Sequence, residues 1–81
     1  MKPETKKTID HYVELGFDPG SFVRAVLENN LKEAFGCADA QNREDLFEIV
    51  SYCYNYIPDY CWGSREKVTA WLASFRNKKN D

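Results

Sequence analysis

Apolar positions recur at helical spacing along the chain, and no stretch alternates as a half-buried strand would. The strongest pattern runs from Asn42 to Ile57, NREDLFEIVSYCYNYI, and closes at Pro58. On a helical wheel Leu46, Val50, Cys53 and Ile57 share one narrow sector. Phe47 and Tyr54 widen that sector on one side, Ile49 and Tyr56 on the other, until the apolar arc covers roughly half the circumference. So wide an arc predicts a central helix over 42–57 with other helices packed on both flanks. Glu44, Glu48, Ser51 and Asn55 make its wet face. Tyr52, beside Asp45 and Glu48, is expected to be the most exposed of the helix's tyrosines. Asn42 with Asp45 three residues on resembles a capping box, and Asp39 is the competing cap.

The other elements follow from stripes and stop signals. Ile9, Tyr12 and Val13 mark a helix over 4–15, which Gly16 ends in a left-handed conformation with Phe17 folding back on Tyr12. Asp18 and Pro19 suit the cap and first position of a helix over 19–29, with Ser21 as the alternative cap. Its stripe of Phe22, Val23 and Val26 then drifts. Leu27, Leu31, Ala34 and Phe35 lie well round the wheel, and Asn30 projects into the apolar sector. A break at Asn29-Asn30, followed by a short helix over 31–36, is favoured over one helix with an inward polar group needing a partner. Ser64 caps a last helix over 64–76, whose stripe of Val68, Trp71, Leu72 and Phe75 should pack along one side of the central helix. Residues 77–81 read as a frayed polar tail. The expected fold is all-α, one domain over 1–81, a compact bundle of four to five short helices around a central helix.

Size narrows the choice of sites. At 81 residues, a chain buries only about 60–65% of its unfolded surface. A pocket of several hundred Å³ would remove much of such a core. A sizeable ligand is therefore expected in a surface groove or between subunits of a homo-oligomer. The net charge is −2, with basic residues gathered at the ends: Lys2, Lys6 and Lys7 in front, Arg76, Lys78 and Lys79 behind. From Glu28 to Tyr60 there are seven Asp or Glu against Lys32 and Arg43. A general nucleic-acid binder needs a concentrated basic face, so nucleic acid is not an expected partner. A small DNA-associated regulator using the termini ranks third among the readings. Cys37, Cys53 and Cys61 have wide, unequal spacing without a CxxC pair, and His11 alone completes no zinc site. Three reduced thiols, no metal and no cofactor are expected. The N-terminus lacks the apolar run of a signal peptide, and no stretch approaches a membrane span. The expectation is a cytoplasmic protein with no membrane partner.

The most suggestive chemistry lies where a Gly-Ser pair opens a helix, GSFVR and GSREK. A helix N-terminus offers free N–H groups and partial positive charge, and a preceding glycine lets an anion approach. Arg24 follows the first pair, and Arg65 and Lys67 the second, so each could hold a phosphate or carboxylate. Ordinary capping by Ser21 and Ser64 is the plainer alternative. Trp62 stands just ahead of Gly63-Ser64, with Tyr60 two residues before. A base could stack on these rings while its phosphate meets the amides and Arg65. The plain alternative for Trp62 is a ring folded over the end of the core. Catalysis has little support. Glu44 and Glu48 share a solvated face, no nucleophile, His and acid set is visible, and there is no phosphate-binding loop or dinucleotide fingerprint. The chain is not expected to be an enzyme.

The segments PGSFVRAVLENNLKEAFG, FEIVSYCYNYIP and CWGSREKVTAWL resemble a group of small proteins encoded by tailed bacteriophages and prophages. The likeness spans about Ile9 to Leu72 and implies a protein made in the host cytoplasm that works by stoichiometric binding. The leading expectation is sequestration of a phosphate-bearing, nucleotide-like small molecule, such as a host defence signal, at a subunit interface. Tyr60 and Trp62 would stack, Ser64, Arg65 and Lys67 would hold the anion, and Ser21 and Arg24 would form a second patch. The alternative is a protein–protein module that disables a host enzyme or regulator through Tyr52, Glu48 and Asp45 on the acidic face of the central helix.

Overall fold

Helix signals in the chain translate into helices at nearly every expected place. The computed structural model describes residues 1–79, with side chains through Arg76, and every regular element among them is helical. In order these are α1 (Pro3–Leu15), α2 (Gly20–Leu27), α3 (Leu31–Cys37), α4 (Ala40–Glu44), α5 (Leu46–Tyr56), a 3-10 turn at Asp59–Cys61, and α6 (Arg65–Lys79). Helical backbone therefore continues through residues 77–79, where a frayed tail was expected. Asn80 and Asp81 lie outside the described residues.

Local chemistry explains the boundaries. Gly16 ends α1 with φ 70°, and its N–H donates to the Tyr12 carbonyl at 3.1 Å. A β-carbon there would come within 2.3 Å of the Phe75 ring, so glycine serves both the turn and the close passage of α6. Tyr12 is fully enclosed, and the Phe17 ring meets the His11 ring edge to face with centroids 5.8 Å apart. Asp18 Oδ1 accepts the Gly20 N–H at 2.9 Å, supplying the cap ahead of α2, while Ser21 is merely exposed in its first turn. The break at Asn29-Asn30 is present. Asn29 takes φ 61°, and Asn30 Oδ1 accepts the Glu33 N–H at 3.2 Å as the cap of α3. The polar residue in the apolar sector thus finds its partner by ending one helix and starting the next.

The stretch expected as one helix over 42–57 is two. Asp39, not Asn42, is the cap, accepting the Asn42 N–H at 2.8 Å. α4 then stops at Asp45, whose φ of −87° and ψ of 0° offset α5 from it. The buried face of α5 is also turned. Ile49 and Cys53 are fully enclosed, Leu46 and Tyr52 are half-buried against the core, and Phe47, Tyr54 and Tyr56 are exposed. At 100° per residue the inward direction lies about 60° round from the centre of the sequence arc, toward Ile49. One flank of α5 is consequently uncovered, where helices on both sides were expected.

Core packing draws on every long helix: Ile9 and Tyr12 from α1, Val23, Ala25, Val26 and Leu27 from α2, Ile49 and Cys53 from α5, Val68 from α6. Each large side chain so enclosed contributes roughly 1.5–3 kcal/mol. α2 is the most thoroughly buried helix. Tyr12 joins three elements: its hydroxyl donates to the Cys61 carbonyl at 2.7 Å, and its own carbonyl accepts Trp71 Nε1–H at 3.1 Å. α6 therefore lies chiefly on α1, α2 and the 3-10 turn, where its stripe was expected to run along the central helix.

Candidate functional site

The residues expected to grip a nucleotide are mostly committed to the fold. Ser64 Oγ accepts the Lys67 N–H at 3.1 Å and so caps α6. Gly63, at φ 115°, gives its N–H to the Leu27 carbonyl at 2.7 Å, which removes one amide from any anion site and ties the loop to α2. Lys67 Nζ reaches back to the Asp59 carbonyl at 3.2 Å and its carboxylate at 3.6 Å. That carboxylate would repel an incoming phosphate. Trp62 is half-buried against the core and lines a groove with Val26, Leu31 and Val50, while Tyr60 packs on Trp71 with ring centroids 5.4 Å apart. The two rings thus have different neighbours and do not form one stacking platform. Arg65 is exposed over a shallow concavity with Thr69 and Ala73, and Tyr60 is 66% exposed despite its contact with Trp71. Arg24, of the second patch, is bound to Glu28 at 3.0 Å and Asp18 at 3.5 Å.

The residues expected to form an acidic protein-binding face are likewise engaged, by α1. Tyr52 is half-buried and donates to Asp10, so it is not the most exposed tyrosine of its helix. Glu48 and Asp45 both pair with the amino group of Met1. Burial raises the Tyr52 hydroxyl above its ordinary pKa, and the bond to Asp10 adds to the effect. For Asp10, burial opposes ionisation, but hydrogen bonds from Tyr52 and Lys6 outweigh it and hold the carboxyl below the usual aspartate range. Lys6 also sits 5.4 Å over the Tyr52 ring. These contacts fasten α1 to α5 along the side that sequence reasoning assigned to solvent. Below them the Cys53 thiol, pushed up to about 12 by burial, is inert at neutral pH.

What is open is the other flank of α5. Phe47 is 86% exposed and Tyr54 79%, and Val50 lies between them on the same stripe. Across a shallow groove of about 60 Å³, Val50 faces Leu31 of α3, which is 69% exposed. Phe35, one turn further along α3, is half-exposed, with the Arg43 guanidinium 4.8 Å from its ring centre and Arg43 Nε donating to its carbonyl at 3.2 Å. Together these five side chains expose on the order of 700 Å² of largely apolar surface. Sequence reasoning missed this face because it assigned the whole arc to the core. The signal was the width of the arc, which a helix with one covered and one uncovered flank also produces.

No family model, curated protein or solved structure matches this chain. Among the described residues no helix is long and apolar enough to cross a membrane.

Proposed function

We propose that this is a non-catalytic, stoichiometric binding protein of the phage type that docks a host protein on the apolar face of α3 and α5. The observation that carries the reading is the row Phe47, Val50 and Tyr54 standing in solvent beside Leu31 and Phe35. Its area is close to the roughly 800 Å² per partner of a standard protein interface. Aromatic side chains in such a row are the usual anchors of a helix laid into a groove. The chain from Glu28 to Tyr60 carries seven acidic residues against Lys32 and Arg43, but Glu28, Asp39, Asp45, Glu48 and Asp59 are paired with Arg24, Lys2, the Met1 amino group and Lys67. The apolar strip suits a partner helix that presents an apolar face.

The test is site-specific photo-cross-linking in the bacterial host from positions 47, 50 and 54, with position 14 on α1 as the control. The expected result is one host protein captured at all three positions and not at the control. Reconstituted from pure components, that complex should weaken at least tenfold with Phe47→Ala. Capture of another copy of the chain alone would replace this reading with a homodimer. Nucleotide sequestration is the second reading, favoured by the exposure of Arg65. It predicts a bound nucleotide in native mass spectra, lost in Arg65→Ala, and a ligand-free spectrum would remove it.

A further inference from the structure

The αL turn at Gly16 leaves two hydrophobic side chains, Leu15 and Phe17, about half exposed on either side of it. They do not project into open solvent. Together with Leu72 and Phe75 of α6 they line an open cleft of about 380 Å³, within the size range of small-molecule sites. Arg24, Arg76, Asp18 and Thr69 also line it, so two guanidiniums, one carboxylate and one hydroxyl border the apolar side chains. Arg76 is exposed, and Arg24 is held by Glu28 at 3.0 Å and more loosely by Asp18 at 3.5 Å. The Asp18 contact is long and its carboxylate largely exposed, so it contributes little and a ligand anion can displace it. The close passage of Phe75 over Gly16 fixes one wall, since even a methyl group on Gly16 would collide with that ring.

We propose that this cleft binds a small amphipathic anion, an apolar body in contact with Phe17, Leu72 and Phe75 whose single carboxylate or phosphate is held by Arg76 and Arg24. Planar guanidiniums suit either head group because each can donate two parallel hydrogen bonds. Asp18 is the one acidic group lining the cleft, and it tunes affinity downward. The site is separate from the α3–α5 face and does not depend on it.

The experiment is a titration of the ¹⁵N-labelled protein with 1-naphthoate, 1-naphthyl phosphate and the uncharged 1-naphthalenemethanol, read from backbone amide shifts. At least one anion should give saturable shifts centred on Gly16, Phe17, Thr69 and Leu72, and the tighter of the two names the head group. The alcohol should bind about tenfold more weakly, and Arg76→Ala should raise the Kd of the anion about tenfold. Arg76→Lys should recover part of that loss, since it restores the charge without the planar fork. Asp18→Asn, which keeps the side-chain oxygen that caps α2, should tighten binding about threefold. Phe47→Ala should change nothing. The proposal is overturned by the absence of saturable shifts with either anion at millimolar concentration, by shifts confined to the α3–α5 face, by equal affinity for the alcohol, or by indifference to Arg76→Ala.

Discussion

Two flanks of α5 carry similar loads of hydrophobic side chain and are treated oppositely. On one, Ile49, Cys53 and Tyr52 are drawn against α1 and the core, and polar bonds from Tyr52, Glu48 and Asp45 to Asp10 and the amino terminus close the seam. On the other, Phe47 and Tyr54 stand largely in solvent and Val50 is left part-exposed at the groove beside Leu31. Hydrophobicity alone does not distinguish them. The covered flank is the one whose polar neighbours find partners on α1, and the open flank is left with surface that a second molecule can cover.

The largest effect is expected in the core behind the covered flank, where Tyr12 ties α1 to Cys61 and Trp71. Tyr12→Ala removes a fully buried ring and should cost about 3–5 kcal/mol, read as a shift of the urea midpoint. Tyr12→Phe, which loses only the hydroxyl bonded to Cys61, should cost about 1 kcal/mol. Equal costs for the two would show that the ring packs loosely. Gly16→Ala should come next, at about 2–4 kcal/mol, because it combines an unfavourable left-handed backbone with a collision against Phe75. On the open flank Phe47→Ala should leave the urea midpoint within about 0.5 kcal/mol of the parent. A larger loss would mean that Phe47 is covered in solution, by this chain or a second copy.

The smallest expected effect is electrostatic and sharpens the account of the seam. The Asp10 carboxyl is held below the ordinary aspartate range in the folded protein. A depressed folded pKa contributes stability above the unfolded value, and the contribution is lost as pH falls through the folded one. Stability should therefore decline as pH drops below the ordinary aspartate range. Tyr52→Phe, which deletes one of the hydrogen bonds to Asp10, should make that decline shallower. Parallel curves for the two proteins would remove Tyr52 from the seam's electrostatics. Asp39, held low by Lys2 and then by the Asn42 amide, titrates in the same direction and is common to both.

Local signals were readable wherever a side chain and its own backbone settle the matter. Gly16, the Asn29-Asn30 break, the Asn30 cap and the Ser64 cap all involve contacts within a few residues, and each was legible in order of sequence. The start of α4 at Asp39 rather than Asn42 was a choice between two local caps. Wheel geometry alone could not make that choice. The candidate sites were far less legible. Ser64 and Lys67 were recognised as a helix start, but their occupation by Asp59 and by capping depends on how the 3-10 turn folds back. Arg24 was singled out from sequence, whereas its companions Phe17, Phe75 and Arg76 come from segments far apart in the chain.

The amino-acid sequence by itself determined an all-α chain, most of its helix boundaries to within a few residues, and several of the glycines and caps that set them, but not the break at Asp45. Those features rest on backbone dihedrals and hydrogen bonds between near neighbours, which any short segment carries within it. Only the tertiary structure decided which side of α5 is the inside. That depended on where α1 delivers Asp10, where Tyr12 meets Cys61 and Trp71, and how closely α6 passes over Gly16. A broad apolar arc is compatible with several rotations of the same helix, and burial is shared out among them only when the other helices arrive.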